Sequence, residues 1–371
     1  MATWRRITGV AGLAAGAVAA GAGAVVAAER IAIGRAQLLR DNSAPENFGG
    51  LRGRALTVLA DDGVPLHVEI DDPAPDTSNG SASDAAGQPG GPATIVFCHG
   101  YTLNQDCWHF QRRDLSEHRL VFWDQRDHGR SGRSAEGSGS IGQLGADLKA
   151  VIDAAAPVGP VVLVGHSMGG MTIMALADQY PDLFGTKVAG AVLISTAARG
   201  LEGGSPWMPA PIRPALARAL PAVLNGAAKG KRAILVERGR RASGDLAFLT
   251  TRLIGFGDGD VSPATVAFLE QMIRATPIEV VARFGQALLR CDMRGSLATL
   301  GRIPVTVIVG EKDRLIASRL GLELAAQIPG AQLVWAPGAG HAIILEQPEL
   351  VNRAIAGLLA RVAAGGLPRS A

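Results

Sequence analysis

The chain has 371 residues, 47% hydrophobic and 19% charged, with a formal net charge of +3, a balance that supports a sizeable core and excludes global disorder. Its 48 glycines follow no three-residue period, which excludes a collagen-like rod, and its basic residues are scattered among the acids, which argues for a solvated surface over nucleic-acid binding. Three cysteines, Cys98, Cys107 and Cys291, make no disulfide framework.

At the N-terminus, Arg5 and Arg6 precede an uncharged stretch over residues 7–28. As a helix it would reach about 33 Å, against a bilayer core of about 30 Å. It is mostly Ala and Gly, so only weakly apolar. Residues 1–40 are therefore expected to form an N-terminal apolar helix, read as a transmembrane signal anchor. A cleaved export signal ending near 26–28 and a surface-packed helix are the alternatives, so the expected location is membrane-associated or exported, with a cytoplasmic one also open. Arg30, Arg35 and Arg40 balance the leading arginines and leave the orientation open.

Residues 56–59 and 66–70 flank Asp61-Asp62-Gly63, the pattern of a hairpin. Residues 71–92 are rich in Pro, Ser, Asp, Gly and Ala, without apolar periodicity, and predict a flexible loop. From residue 93 short apolar runs alternate with helical stretches: 94–98, 120–123, 161–164, 188–194, 305–309 and 332–335. Unbroken β-branched runs suit strands buried on both faces, so the expected class is α/β, a mostly parallel central sheet flanked by helices. Residues 197–302 break the alternation. They are too many for one crossover and read as a helical cap inserted in the domain, with an apolar helix-prone stretch over 206–224 and amphipathic helices over 246–254 and 263–273.

In open α/β sheets the reacting groups lie just past the carboxyl ends of the strands. After 161–164 comes Gly165-His166-Ser167-Met168-Gly169-Gly170, then a helical run over 171–179. This is G-x-S-x-G at a strand-to-helix turn, where small neighbours let a serine project from a sharp bend. After 94–98 comes His99-Gly100-Tyr101-Thr102, a loop able to point the Tyr101 amide at the spot facing Ser167. With the Met168 amide it would form an oxyanion hole. His99 is read as shaping that loop through hydrogen bonds. Asp313 follows the run 305–309 and His341 follows 332–335, completing the chain order Ser…Asp…His. Glu311 is the rival acid, nearer its strand. His99, His109, His118 and His128 match no metal-ligand spacing, and no metal or other cofactor is expected. Trp108 and Trp207 suit either an apolar pocket or core packing.

Four motifs occur in order: Phe97-Cys98-His99-Gly100-Tyr101, residues 123–131 from Trp123-Asp124-Gln125-Arg126 to Ser131, the Ser167 elbow, and Gly310–Asp313 followed by Gly338-Ala339-Gly340-His341. Together they make the chain resemble the α/β-hydrolase superfamily, specifically esterase- and lipase-like serine hydrolases with a cap domain. The resemblance implies an α/β-hydrolase domain over 51–371 with the cap inserted at 197–302. It implies Ser167 as nucleophile, His341 as base, Asp313 as orienting acid, and an oxyanion hole from the Tyr101 and Met168 amides. Asp127 stands where that family more often has Gly, which puts the loop shape there in question. The expected activity is hydrolysis of a small-molecule carboxylic ester, apolar or lipid-like, through an acyl-enzyme. Perhydrolase (cofactor-free haloperoxidase) and thioesterase chemistry on the same triad stay open, as does a non-enzymatic ligand-binding module of the same fold.

Overall fold

Burial on both faces requires that an apolar strand send alternate side chains to two cores, and that is how this sheet is built. The computed structural model describes residues 46–73, 91–135, 139–200 and 244–365. The N-terminal segment, most of the loop expected over 71–92, the stretch 206–224 and Trp207 lie outside them. Among the described residues no helix is long and apolar enough to cross a membrane, so the expected transmembrane helix finds no support there.

Eight strands form one sheet: β1 (Arg54–Leu59), β2 (Pro65–Asp71), β3 (Thr94–Cys98), β4 (Leu120–Trp123), β5 (Val161–His166), β6 (Val188–Ile194), β7 (Val305–Gly310) and β8 (Gln332–Ala336), in the order β1-β2-β4-β3-β5-β6-β7-β8. The hairpin β1–β2 turns at Gly63, whose φ of 83° suits the residue that lacks a Cβ. β2 also runs antiparallel to β4, and from β4 to β8 every pairing is parallel. Strands β3 to β7 are fully buried. Val96, Cys98, Val121, Trp123, Leu163 and Leu193 face one core. Their neighbours Ile95, Phe97, Leu120, Phe122, Val164 and Val192 face the other.

The described helices are α1 (His109–Asp114), α2 (Ile141–Ala155), α3 (Met168–Gln179), α4 (Gly244–Gly255), α5 (Pro263–Ala275), α6 (Ile278–Arg290), α7 (Ser318–Gln327) and α8 (Pro348–Gly365), with shorter turns at Leu297–Leu300 and Ile343–Glu346. Helices α2 and α3 supply the first core, and α8 packs into the second through Val351, Ile355 and Leu358. α5 starts sharply: Ser262 Oγ accepts the Thr265 amide at 3.1 Å and Pro263 occupies the first turn. Its Val266, Leu269 and Met272 belong to the second core, whereas Val280, Phe284 and Leu288 of α6, four residues apart, belong to the first. The chain crosses from β4 over β3 to β5, so loops after β3 and β5 diverge and open a crevice at their carboxyl ends.

Candidate active site

Ser167 stands between the end of β5 and the start of α3 with φ 54° and ψ −116°, a backbone conformation sparsely populated by residues with a Cβ. The surroundings hold it there. Its N–H donates to Ile194 O at 2.8 Å, and its carbonyl accepts from Thr196 Oγ1 at 2.8 Å and from the Gly170 amide at 3.0 Å. The small neighbours are obligatory: a Cβ on Gly169 would lie 2.0 Å from Cys98 O, and one on Gly165 2.6 Å from the Gly169 backbone. Met168 opens α3, so its amide is among the N–H groups that a helix start leaves without an intrahelical acceptor.

The loop after β3 is a tight turn, with Leu103 N–H donating to Gly100 O at 3.2 Å and Thr102 at φ 63°. His99 braces it from below. Its Nε2 accepts the Gln125 amide at 2.9 Å, which leaves Nδ1 to donate to Gly100 O at 2.8 Å. Gln125 closes the brace by donating to His99 O at 2.6 Å and accepting from Thr172 Oγ1 of α3 at 2.6 Å. Burial pushes His99 down to about 4, so it stays a neutral brace. From above, Tyr101 Oη donates to Val281 O, and Thr276 Oγ1 donates to Thr102 O at 3.0 Å, fastening the loop to the α5–α6 junction.

His341 Nδ1 and Asp313 Oδ2 lie 2.8 Å apart, and the other Asp313 oxygen accepts the amides of Leu315 at 2.8 Å and Ile316 at 2.9 Å. A carboxylate acceptor sets the proton on Nδ1 and leaves Nε2 as the acceptor. Glu311 takes the Gly338 amide at 2.8 Å instead, at the start of the same loop. The ring of His166, next to Ser167 in the chain, sits 4.9 Å from the ring of His341, so β5 and the histidine loop meet at the elbow.

Several groups that hold the site carried no sequence signal. Glu346 Oε2 accepts the amides of Gly340 at 2.7 Å and Gly257 at 3.0 Å. Lys312 N–H donates to Ala339 O at 2.8 Å, Asp258 N–H to Gly338 O at 2.9 Å and Ala342 N–H to Gly255 O at 2.7 Å. The histidine loop thus lies between the end of β7 and the segment following α4.

The stretch Asp124–Ser131 frames the site without facing it. Asp124 accepts the amides of Gln105 and Arg130, each at 2.8 Å, and burial raises its pKa despite those bonds. Buried Arg126 bridges Asp147 and Asp62, each at 2.6 Å. Asp127 has φ 69°, the left-handed region that favours glycine, which accounts for the residue type expected there. Its carboxylate accepts from the Ser134 amide at 2.8 Å, Ser134 Oγ at 2.6 Å and Arg283 of α6 at 3.2 Å. His128 is buried beside His99, 5.4 Å between rings, and burial pushes it down to about 3. His109 lies apart, 2.8 Å from Glu46. Among the described residues no His, Cys, Asp or Glu cluster is arranged to hold a metal. Trp108 is fully buried against Phe97, rings 5.1 Å apart. Cys98, Cys107 and Cys291 are free and buried.

Known proteins match both fold and sequence. A Caulobacter sp. (strain K31) protein named as a carbamate hydrolase, RutD, is 28% identical over 285 residues, 74% of this chain and 95% of that protein. A pimeloyl–acyl-carrier-protein methyl ester esterase of Stenotrophomonas maltophilia (strain K279a) is 30% identical over 205 residues, 54% of this chain and 70% of that protein. A thermophilic esterase from Thermogutta terrifontis has a related structure, with a TM-score of 0.61 and 24% identity over 83% of this chain and 99% of that one. The sequence profile of the Alpha/beta hydrolase family matches residues 95–354, more than half of the sequence, and the chain belongs to that family.

Proposed function

We propose that the chain is a serine hydrolase that cleaves carboxylic esters through an acyl-enzyme, with Ser167 as nucleophile, His341 as base and Asp313 as its orienting acid. One observation carries the reading: a histidine whose Nδ1 is held by a buried carboxylate lies against the strand end that bears Ser167 on a strained elbow. Ser167 Oγ attacks the ester carbonyl carbon while its proton passes to His341 Nε2. The carbonyl oxygen becomes an oxyanion facing the Tyr101 and Met168 amides, each donor worth roughly 3 kcal/mol in the transition state. His341 returns the proton to the departing alkoxide. A water molecule then attacks the acyl carbon as His341 takes its proton, the acyl–Oγ bond breaks as His341 returns that proton to Ser167 Oγ, and a carboxylic acid leaves. Every proton and charge is handled by groups of this chain.

A hydrophobic acyl or lipid-like group is the proposed substrate, favoured by the apolar character of the cap sequence. The test is a panel of p-nitrophenyl esters from C2 to C16, with matched thioesters and a halide-plus-peroxide assay, alongside fluorophosphonate labelling. Ester turnover rising with acyl length and labelling abolished by Ser167→Ala are expected. Faster turnover of thioesters, or peroxide-dependent halogenation, would move the assignment within the same triad. Folded protein that neither labels nor hydrolyses would sink the enzymatic reading in favour of a binding module.

A further inference from the structure

His166 precedes the nucleophile, and the reaction scheme above leaves it without a task. On β5 it continues the side of Val162 and Val164, whose side chains enter the second core, so its position is patterned for an apolar residue. A buried polar atom without a partner is costly, and of the two His166 ring nitrogens only Nε2 has one, Nδ1 being buried without a hydrogen bond. Its Nε2 lies 2.9 Å from the main-chain oxygen of His341. A carbonyl only accepts, so Nε2 carries the proton. On the opposite side, a Cβ added to Gly100 would lie 2.7 Å from His166 Nδ1, so the ring fills the space between the loop after β3 and the loop bearing His341. The ring therefore touches two chain segments, the Gly100 loop and the His341 loop, and is carried by a third, the strand end that bears Ser167. Burial, together with the neighbouring His341, pushes its pKa down to about 3, which keeps it a single-proton donor across the neutral range.

We propose that His166 is a positioning residue: wedged between Gly100 and His341, it donates from Nε2 to the His341 carbonyl and so holds the base and the oxyanion loop in register with Ser167. The inference rests on the hydrolase reading for its kinetic consequence, but its geometric content stands apart from activity. Without the donor, the His341 peptide has one fixed point fewer, and small misplacements of a catalytic group are costly in rate, about 10- to 100-fold.

Two variants of similar length separate the hydrogen bond from packing. His166→Met fills an apolar-patterned position without a donor, whereas His166→Gln keeps an N–H within reach of the carbonyl. In His166→Met, fluorophosphonate labelling at Ser167 and kcat for a p-nitrophenyl ester are expected to fall about 10- to 100-fold. KM should stay within about twofold, and the urea midpoint should not drop. The downfield proton resonance of His341 Nδ1–H should shift or broaden. His166→Gln is expected to recover most of the rate and the resonance. Wild-type labelling with an unmoved resonance in His166→Met would overturn the proposal, and so would equal loss in both variants, which would assign the effect to ring shape. If wild-type protein neither labels nor turns over an ester, the hydrolase reading falls, and the resonance alone still decides whether His166 positions His341.

Discussion

Both oxygens of Asp313 are committed, one to His341 Nδ1 and the other to the Leu315 and Ile316 amides. This makes Asp313→Asn an unusually clean probe. The two amide donors require an oxygen on their side, so the new NH2 must face His341. It would force Nδ1 to accept and put the proton on Nε2, the wrong nitrogen for a base. We expect kcat to fall by roughly 10⁴-fold with unchanged circular dichroism; a variant within tenfold of wild type would remove Asp313 from its proposed role. Asp127 offers a contest of two effects. Replacing it by Gly relieves a positive φ, worth about 1 kcal/mol, but discards bonds from Ser134 and Arg283 to a buried carboxylate, worth about 1.5–3 kcal/mol for a charged group. The second term is larger, so Asp127→Gly should lower the urea midpoint, and an increase would show that the strain dominates.

At the scale of elements, the strand runs read from sequence at 94–98, 120–123 and 188–194 coincide with β3, β4 and β6. Those segments are legible because burial on both faces demands continuous apolar residues. β5 runs two residues beyond its apolar run, through Gly165 and His166, because pairing with β6 continues to His166 opposite Ile194 regardless of side-chain polarity. The triad candidates were legible because each follows a readable strand. Their supports were not. Asp258 to Gly338 and Ala342 to Gly255 are main-chain bonds across some eighty residues, and an amide bond carries no residue signature. Glu346 was invisible for a related reason: its partners are glycine amides. Its contribution is acceptance of two N–H groups, so Glu346→Gln, which keeps an oxygen, should retain near-wild-type kcat. Glu346→Ala should lower kcat about tenfold or more by loosening the histidine loop. Equal kinetics for the two variants would discard this clamp.

Across the whole molecule, three buried histidines contribute to the loss of stability in acid. His99 is held down to about 4, and His128 and His166 to about 3, each chiefly by burial. All three are neutral in the folded protein, whereas in the unfolded chain they take up protons below about pH 6.5. Their contribution is complete above that pH and is lost as pH falls toward 3–4. Between pH 7.5 and 5.5 each should remove about 1.4 kcal/mol, or about 4 kcal/mol together. Glu69, brought down to about 2 by the Gly53 amide, His67 and Arg112 against its burial, adds a second loss between about pH 4.5 and 2. Urea titrations at pH 7.5 and 5.5 measure the first loss; equal midpoints would mean that these imidazoles are charged in the native state or open to water.

The stitching of the histidine loop to residues 255–258 bears on how this protein can be recombined. A chimera that borrows a relative's segment between β6 and β7 and joins it at the sheet would replace the hydrogen-bonding surface on which the His341 loop rests. Such a hybrid is expected to displace His341 from Asp313 and so to lose the proposed activity. Any transplant of substrate preference should therefore carry the native 255–258 backbone with the recipient and exchange only what lies beyond it.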